Sequence, residues 1–292
     1  MIAAIPFPNI EPELFSFDIG GFTLAIRWYA LAYIAGFIIA WRLANRALRR
    51  PELWRDNTPP MDPKTTEDLL TYTIIGVVIG GRLGYVLFYA FPELVADPMM
   101  ALRIWEGGMS FHGGFIGVIA AAFYFVWRTG ANPWSVGDAF ALGTPVGLCL
   151  GRIANFINSE LWGRPTDVPW GVIFPNGACA EAIDCARHPS QLYEAGLEGI
   201  VLFAVITWLA YWRGWLKIPG QMVGVFFIGY GAARVFVEFY RQADSQFITA
   251  ENPMGYIVRA GELGLTMGQL LSLPMVVAGV LVLIWVRRRA PA

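Results

Sequence analysis

The sequence predicts an all-α integral membrane protein, because it is apolar, poor in charge and divided into long apolar runs. Of its 292 residues, 56% are hydrophobic and only 15% are charged, whereas an ordinary soluble domain has about 25% charged residues. A helix needs about 20 apolar residues to cross the hydrocarbon layer. We count seven runs of suitable length and expect them to form one membrane-embedded domain over residues 1–292.

The predicted spans follow one another with polar connections between them. The first is interpreted as a retained helix, because no basic segment precedes it and no small-residue cleavage site follows it. The third is the shortest. The spans cover Phe22–Trp41, Leu69–Phe91, Gly113–Trp127, Val136–Phe156, Leu192–Trp212, Met222–Phe239 and Gly268–Val286.

The distribution of Lys and Arg predicts the orientation, because short cytoplasmic loops retain positive charge during insertion. With the N-terminus outside, twelve basic residues fall in the inner loops and six in the outer segments. We therefore expect an outer N-terminus and a cytoplasmic C-terminus. The proline-rich outer insertion Asn158–Pro189 should form a small head with little regular structure, and the inner loop Pro51–Pro63 should be a simple connector.

Composition argues against two classes of partner. With a formal net charge of −1, the chain has no overall basic field to attract nucleic acid. Three cysteines and two histidines are too scattered for a zinc-ligand pattern, so we expect no metal. Cys149 should be a buried apolar residue. Cys179 and Cys185 share the outer head, where thiols are usually oxidised, and we expect a local disulfide between them; the alternative is two unpaired thiols.

Three arginines lie inside the predicted spans, namely Arg82, Arg152 and Arg234. A charge at this depth costs at least about 2.5–3.5 kcal/mol on insertion scales, so it is retained where it pairs, reaches water or binds an anion. Each follows small residues, which leave room for a partner. For Arg82 a structural ion pair between helices and a functional role both stay open, because nothing polar surrounds it in the sequence.

Arg152 begins a polar segment at the outer end of the fourth span. At helical spacing Arg152, Asn155 and Ser159 share one face, with Asn158 and Glu160 close behind. A guanidinium, two amides and a carboxylate at the membrane boundary could bind a phosphate and a hydroxylated head group together. The alternative is a polar helix end that faces water.

The sixth span carries a second polar stripe. Tyr230, Arg234, Glu238 and Arg241 recur at steps of four, four and three residues, which place a phenol, a cation, an anion and a cation on one helical face. The two stripes together suggest a site for an anionic lipid. Glu238 could also neutralise Arg234 at i,i+4, and the two interpretations are compatible.

A glycine-rich motif, Glu106–Gly114, precedes the third span and contains His112. Glycines let a backbone approach a ligand closely, and a histidine with a pKa near 6.5 can accept a proton at neutral pH. Capping or packing is the structural alternative for His112. His188 lies before a proline that suits a helix start, and we interpret it first in that way.

Taken together, several motifs of the chain resemble those of a known family. The chain is similar to bacterial prolipoprotein diacylglyceryl transferases over nearly its whole length, and the joint occurrence of its motifs by chance is negligible. The departure is in the head, at Cys179 and Cys185. The resemblance rests on Arg27-Trp28-Tyr29, Gly80-Gly81-Arg82, His112-Gly-Gly-Phe-Ile-Gly, Gly151-Arg152-Ile-Ala-Asn155-Phe-Ile-Asn158-Ser-Glu160-Leu-Trp-Gly163-Arg164, Arg187-His188-Pro-Ser-Gln-Leu-Tyr193-Glu194 and Gly229-Tyr230-Gly-Ala-Ala-Arg234.

The resemblance implies an enzyme of the bacterial inner membrane whose active face is periplasmic. Its substrates would be phosphatidylglycerol and the lipobox cysteine in the signal peptide of a preprolipoprotein, and it would need no cofactor. The expected products are a diacylglyceryl thioether and glycerol 1-phosphate.

The resemblance also assigns roles to residues of this chain. Arg152 would bind the lipid head group and Arg234 would stabilise the leaving phosphate, while His112 would take the thiol proton, for which Tyr230 or a phosphate oxygen are alternatives. The catalytic set is His112, Tyr230, Arg234 and Arg152; the lipid-binding set is Arg152, Asn155, Asn158, Glu160, Arg234 and Tyr29; the supporting set is Gly163, Arg164, Glu238 and Arg241.

Two other functions are alternatives for such a chain. Intramembrane charges also mark secondary transporters and channels for anionic solutes, which usually carry internal repeats. The His112 and Arg152 motifs have no counterpart in the second half of the sequence. A phospholipid hydrolase is disfavoured because the sequence has no Gly-x-Ser-x-Gly elbow.

Overall fold

The computed structural model describes residues 4–19, 22–175, 177, 185–261 and 263–290, and these are mostly helical. A π-helical turn, Ala195–Val201, joins the sixth and seventh α-helices. Short 3-10 turns lie in the connections. The α-helices are α1 (Trp28–Leu48), α2 (Thr66–Phe88), α3 (Phe91–Ala96), α4 (Phe111–Thr129), α5 (Pro133–Ile157), α6 (Ser190–Glu194), α7 (Leu202–Trp212), α8 (Gln221–Val237) and α9 (Met267–Arg289).

The helices confirm the expectation of an integral membrane protein. Among the described residues, six helical segments are long and apolar enough to cross a membrane: α1, α2 with its preceding turn, α4, α5, α6 through α7, and α9. The third predicted span forms a helix of 19 residues. The sixth corresponds to α8, which is apolar but has only 17 residues. The count of seven spans therefore stays a prediction.

The prediction was wrong at the start of the first span. Residues Phe22–Arg27 form a β-strand (β3) that pairs antiparallel with Glu13–Ile19 (β2), and the helix begins only at Trp28. Counting apolar residues does not distinguish a strand from a helix. Gly20 and Gly21 join the two strands in sequence, and a two-residue glycine connection is typical of a β-hairpin.

The described part of the head has little regular structure, as the sequence predicts, and its strands are two residues long. Val172–Ile173 (β4) pairs in parallel with Ile5–Pro6 (β1) and antiparallel with Ala186–Arg187 (β5). The N-terminal segment therefore completes a small sheet in the head. The predicted disulfide involves Cys179, which lies outside the described residues, and it stays a prediction. A further hairpin, Tyr256–Ala260 (β6) with Leu263–Thr266 (β7), leads directly into α9.

The loop predicted as a polar connector contributes to the core. Trp54 is buried, and its indole N–H donates to the Ala47 carbonyl at 2.9 Å. Leu53 packs in the same apolar cluster, which includes Leu142 of α5 and Met222 of α8. This cluster lies at the end of the bundle where α1 ends and α8 begins. At the opposite end, which we call the head end, α5 and α8 finish and α6 and α9 start.

Helices α2 and α4 pack through facing glycines. An added Cβ at Gly117 would lie 1.9 Å from the Gly76 carbonyl oxygen, and one at Gly113 would lie 2.2 Å from the Gly80 carbonyl oxygen. These residues are spaced at i,i+4 on both helices, a spacing that allows close approach of membrane helices. No larger side chain fits at this contact.

We predict that Gly117→Ala destabilises the protein, because overpacking in a tight contact usually costs about 1–3 kcal/mol. Gly114→Ala on the same helix is the matched control, since its Cβ would come no closer than 3.7 Å to another atom. Thermal unfolding of both variants in detergent measures the difference. Equal midpoints for the two variants would contradict the glycine contact.

Candidate functional site

The guanidinium groups of Arg152 and Arg234 converge on one carboxylate. Arg152 lies near the end of α5 and its Nε is 3.2 Å from Glu194 Oε2. Arg234 lies near the end of α8 and its Nη1 is 3.6 Å from Glu194 Oε1. The Glu194 side chain is fully buried. Two cations that are distant in sequence are therefore joined by a single anion of α6.

Two further carboxylates complete this cluster. Arg152 Nη2 lies 3.8 Å from Oε2 of Glu198, which is also fully buried. Arg234 pairs with Glu238 at i,i+4, and Glu238 Oε1 accepts a 2.9 Å hydrogen bond from Thr266 Oγ1 at the start of α9. We call the five charged residues Arg152, Arg234, Glu194, Glu198 and Glu238 the ion-pair network. The i,i+4 pairing expected for Glu238 is present.

The π-helical turn positions the second carboxylate. Glu194 is the last residue of α6 and Glu198 lies within Ala195–Val201. π turns are rare and occur mostly at functional sites. The turn also approaches α5 closely, because an added Cβ at Gly199 would lie 2.5 Å from Cys149 Cβ. This close approach keeps Glu198 beside Arg152.

The polar segment after α5 forms its own hydrogen-bond group. Glu160 Oε1 accepts from Asn155 Nδ2 at 2.7 Å and from Asn158 Nδ2 at 3.4 Å. The Glu160 carbonyl accepts from the Gln191 side chain at 2.6 Å. Ser159 does not continue the helical face, because α5 ends at Ile157 and Ser159 has a φ of 52°. The residues expected to share one helical face therefore lie partly on the end of α5 and partly on the tight turn that follows it.

The two predicted tyrosines lie near Arg152. Tyr230 of α8 stacks on Phe226 with a centroid distance of 5.8 Å. Tyr29 of α1 contacts Tyr33, with ring centroids 5.1 Å apart. Both phenols lie within electrostatic range of the Arg152 guanidinium. The structure thus brings residues of the first, fourth and sixth predicted spans to one place.

His112 occupies a different position. It lies exposed in the first turn of α4, where its ring contacts Phe111 at a centroid distance of 5.7 Å. In the part of the chain that the structure describes, no hydrogen bond or ion pair connects His112 to the ion-pair network. Its proposed role as a base stays a prediction.

The supporting residues Gly163 and Arg164 join the head to the end of α8. An added Cβ at Gly163 would lie 2.5 Å from the Tyr240 carbonyl oxygen, so only glycine fits there. Arg164 Nε donates to the Arg241 carbonyl at 3.0 Å. These contacts fix the head against the helix that carries Arg234.

His188 lies beside this junction. Burial lowers its pKa below the ordinary value, although the Asp167 carboxylate acts in the opposite direction. Its Nδ1 lies 3.0 Å from Tyr193 Oη. A neutral ring in this position supports the start of α6, in agreement with its sequence interpretation.

Arg82 makes no ion pair with any described residue, so the interpretation of an ion pair between helices is wrong. The side chain is buried and donates to the Ala101 carbonyl at 3.3 Å and the Gly108 carbonyl at 3.2 Å. It also donates to the carbonyls of Met100 and Gly107. Backbone oxygens, which a search for charged partners cannot reveal, neutralise this cation.

Sequence reasoning missed two buried carboxylates and one helix cap. Glu194 and Glu198 lie within the fifth apolar run, and a carboxylate in such a run is itself a signal of function. Glu194 appeared only as part of a motif and Glu198 not at all. Asp138 of α5 is also buried, and its carboxylate accepts from the backbone N–H of Gly220 at 2.6 Å and of Val223 at 3.0 Å at the start of α8.

The fold and the network together define a helical integral membrane protein in which two arginines contact one buried carboxylate at one end. Among the described residues, no group of three or more His, Cys, Asp or Glu side chains could hold a metal ion. The side chains that the structure gathers at this end are guanidiniums, carboxylates, amides and phenols.

Comparison with known proteins identifies the family. A family model described as prolipoprotein diacylglyceryl transferase matches residues 15–285. The chain is 55% identical to the phosphatidylglycerol–prolipoprotein diacylglyceryl transferase of Roseobacter denitrificans over 294 residues, covering 99% of each protein. It is 54% identical to the protein of that name from Ruegeria pomeroyi, covering 100% of this chain and 99% of the other. The chain belongs to the prolipoprotein diacylglyceryl transferase family and is a membrane-embedded transferase.

We predict that Glu194→Ala strongly destabilises the protein. Removing one partner of a buried ion pair leaves an uncompensated charge and costs about 3–5 kcal/mol. Glu106→Ala is the control, because it removes an exposed carboxylate that pairs with Arg103 at 3.0 Å, and exposed pairs contribute about 0–1 kcal/mol. Unfolding midpoints in detergent compare the two. A Glu194 variant as stable as the Glu106 variant would show that Glu194 does not hold the network together.

Proposed function

We propose that this protein transfers the diacylglyceryl group of phosphatidylglycerol to the lipobox cysteine thiol of a preprolipoprotein and releases glycerol 1-phosphate. The convergence of Arg152 and Arg234 on one buried carboxylate carries this proposal. Two guanidiniums held that closely can contact a single phosphate. The names of the relatives, which specify phosphatidylglycerol and prolipoprotein, support the substrate assignment.

An apolar groove beside the network fits a lipid substrate. Its volume is about 580 Å³. Leu197 and Ala233, which line it, are the sequence neighbours of Glu198 and Arg234. An acyl chain in the groove would therefore leave its head group near the arginines. The groove is lined by Leu197, Val201, Leu202, Val205, Trp215, Val225, Ile228, Gly229, Ala233, Phe236 and Leu283.

The reaction requires charge stabilisation more than covalent chemistry from the protein. The substrate sulfur attacks the glycerol carbon that bears the phosphate, the C–O bond breaks, and its electron pair goes to the phosphate oxygen. Arg152 and Arg234 stabilise the charge on the departing phosphate. Asn155, Asn158 and Glu160 orient the head-group hydroxyls, and Tyr29 and Tyr230 line the reacting centre.

The thiol proton must be removed as the sulfur attacks. His112 is the proposed acceptor, with Tyr230 and a phosphate oxygen as alternatives. Because His112 lies exposed at the start of α4, it can meet a signal peptide that approaches from the head end. No cofactor takes part in this scheme.

The cellular setting follows the same proposal. The protein is a multi-pass membrane protein; we place it in the bacterial inner membrane with its N-terminus and head, residues 158–189, in the periplasm and its C-terminus in the cytoplasm. The excess of Lys and Arg in the assigned inner loops supports this orientation.

Arg152→Ala and Arg234→Ala should each abolish most transfer. Loss of one partner from a buried charge contact costs about 2–5 kcal/mol, and Lys cannot restore a bidentate guanidinium contact. Labelled phosphatidylglycerol and a lipobox peptide measure thioether formation. Arg128→Ala, which removes an exposed cation at the other end of the bundle, is the control. Near-normal turnover in a folded Arg152 or Arg234 variant would overturn the site assignment.

His112→Ala should slow transfer about 10²–10⁴-fold at neutral pH, because a general base is lost. The rate should recover well above pH 8.5, the approximate pKa of a free thiol, where the thiolate forms without help. A pH–rate profile of the variant beside the native protein measures this. A variant that stays slow at high pH would assign His112 to lipid positioning or structure.

A further inference from the structure

The ion-pair network carries more negative than positive groups. Three carboxylates, Glu194, Glu198 and Glu238, pair with the guanidiniums of Arg152 and Arg234. The next cation, Arg241, lies 4.0 Å from its own carboxylate partner, Asp244. A lipid phosphate bound to these arginines would add another negative charge to a buried site. Because an uncompensated charge is costly in a buried site, the negative charge that the phosphate adds must be compensated.

Glu198 is the carboxylate least held by the network. Its one ion-pair contact within the described chain is to Arg152, at 3.8 Å. Neither carboxylate oxygen accepts a hydrogen bond from any described residue, which is also true of Glu194, so the two carboxylates differ in their ion pairs. Glu194, by contrast, contacts two arginines, and Glu238 contacts Arg234 and the Thr266 hydroxyl.

We propose that Glu198 is a displaceable counter-ion of Arg152. An anionic lipid phosphate takes its place at the guanidinium, and Glu198 takes up one proton from solvent as the head group binds. The proton returns to solvent when the phosphate product leaves. This proposal rests on the proposed function and makes Glu198 a residue that positions Arg152 and sets the affinity for the phosphate.

The charged and titratable groups around Glu198 bear on how the affinity for the anionic lipid changes with pH. Arg152 faces it from α5, Glu194 from its own segment, and Tyr230 and Arg234 from α8, with Arg241 beyond. Each bound phosphate brings one proton into this site. Linkage then requires the affinity for the anionic lipid to fall as pH rises, by at most tenfold per pH unit for one proton.

Isothermal titration calorimetry tests this proposal. Phosphatidylglycerol is titrated into the purified full-length protein without a peptide, so that no transfer occurs, in two buffers of different ionisation enthalpy. For each lipid bound at neutral pH, the native protein should take up a measurable fraction of a proton, up to one. Glu198→Gln should bind with no uptake and with a pH-independent affinity, while Glu198→Asp should keep the uptake.

Two controls isolate the effect. Glu251→Gln, which neutralises an exposed carboxylate, should behave like the native protein. Diacylglycerol, which lacks the phosphate, should bind without proton uptake. Equal uptake by the Glu198→Gln and native proteins, or no uptake by the native protein, overturns the proposal, and the native result decides even where a variant fails to fold.

The transfer assay separates this inference from the proposed function. If the native protein transfers the diacylglyceryl group but binds phosphatidylglycerol without proton uptake, the proposed function stands and the role of Glu198 fails. If it neither binds nor transfers this lipid, both fail. If it does both with a Glu198-dependent uptake, the inference is supported.

Discussion

Glu194 is the constraint on which the functional end of this protein depends. Its buried carboxylate contacts Arg152 of α5 and Arg234 of α8, so one side chain joins three helices. Burying two guanidiniums is tolerable only when they are paired. The π turn that follows Glu194, the Glu238 pair and the Thr266 cap of α9 each extend this pairing. The geometry of the arginines is thus a property of the assembled helices.

The two ends of the bundle bury different kinds of side chain. At one end, side chains such as Trp54, Ile206 and Met222 form a packed apolar cluster. At the head end the buried groups include the carboxylates of the ion-pair network. The apolar groove is lined by Leu197 and Ala233, the sequence neighbours of Glu198 and Arg234.

Arginines at similar depth serve different purposes in this protein. Arg82 donates hydrogen bonds to backbone carbonyls of the segment before α4, and these contacts hold that segment against α2. Arg152 instead contacts Glu198, the carboxylate that we propose a phosphate replaces. The environment of the side chain, more than its depth, separates the two roles.

The sequence by itself determined the helical membrane fold and the family and singled out Arg152 and Arg234 as candidate site residues, because hydropathy, charge and motif spacing are local properties. The i,i+4 partner of Arg234, Glu238, could be read from the sequence, but only the tertiary structure showed that both arginines share Glu194, which lies on a helix far from both in sequence. It also placed Phe22–Arg27 in a hairpin, because strand pairing depends on a neighbouring strand. Likewise, the carbonyls around Arg82 converge only when the chain folds back over α2. Local patterns select the elements, and contacts between distant segments select the chemistry.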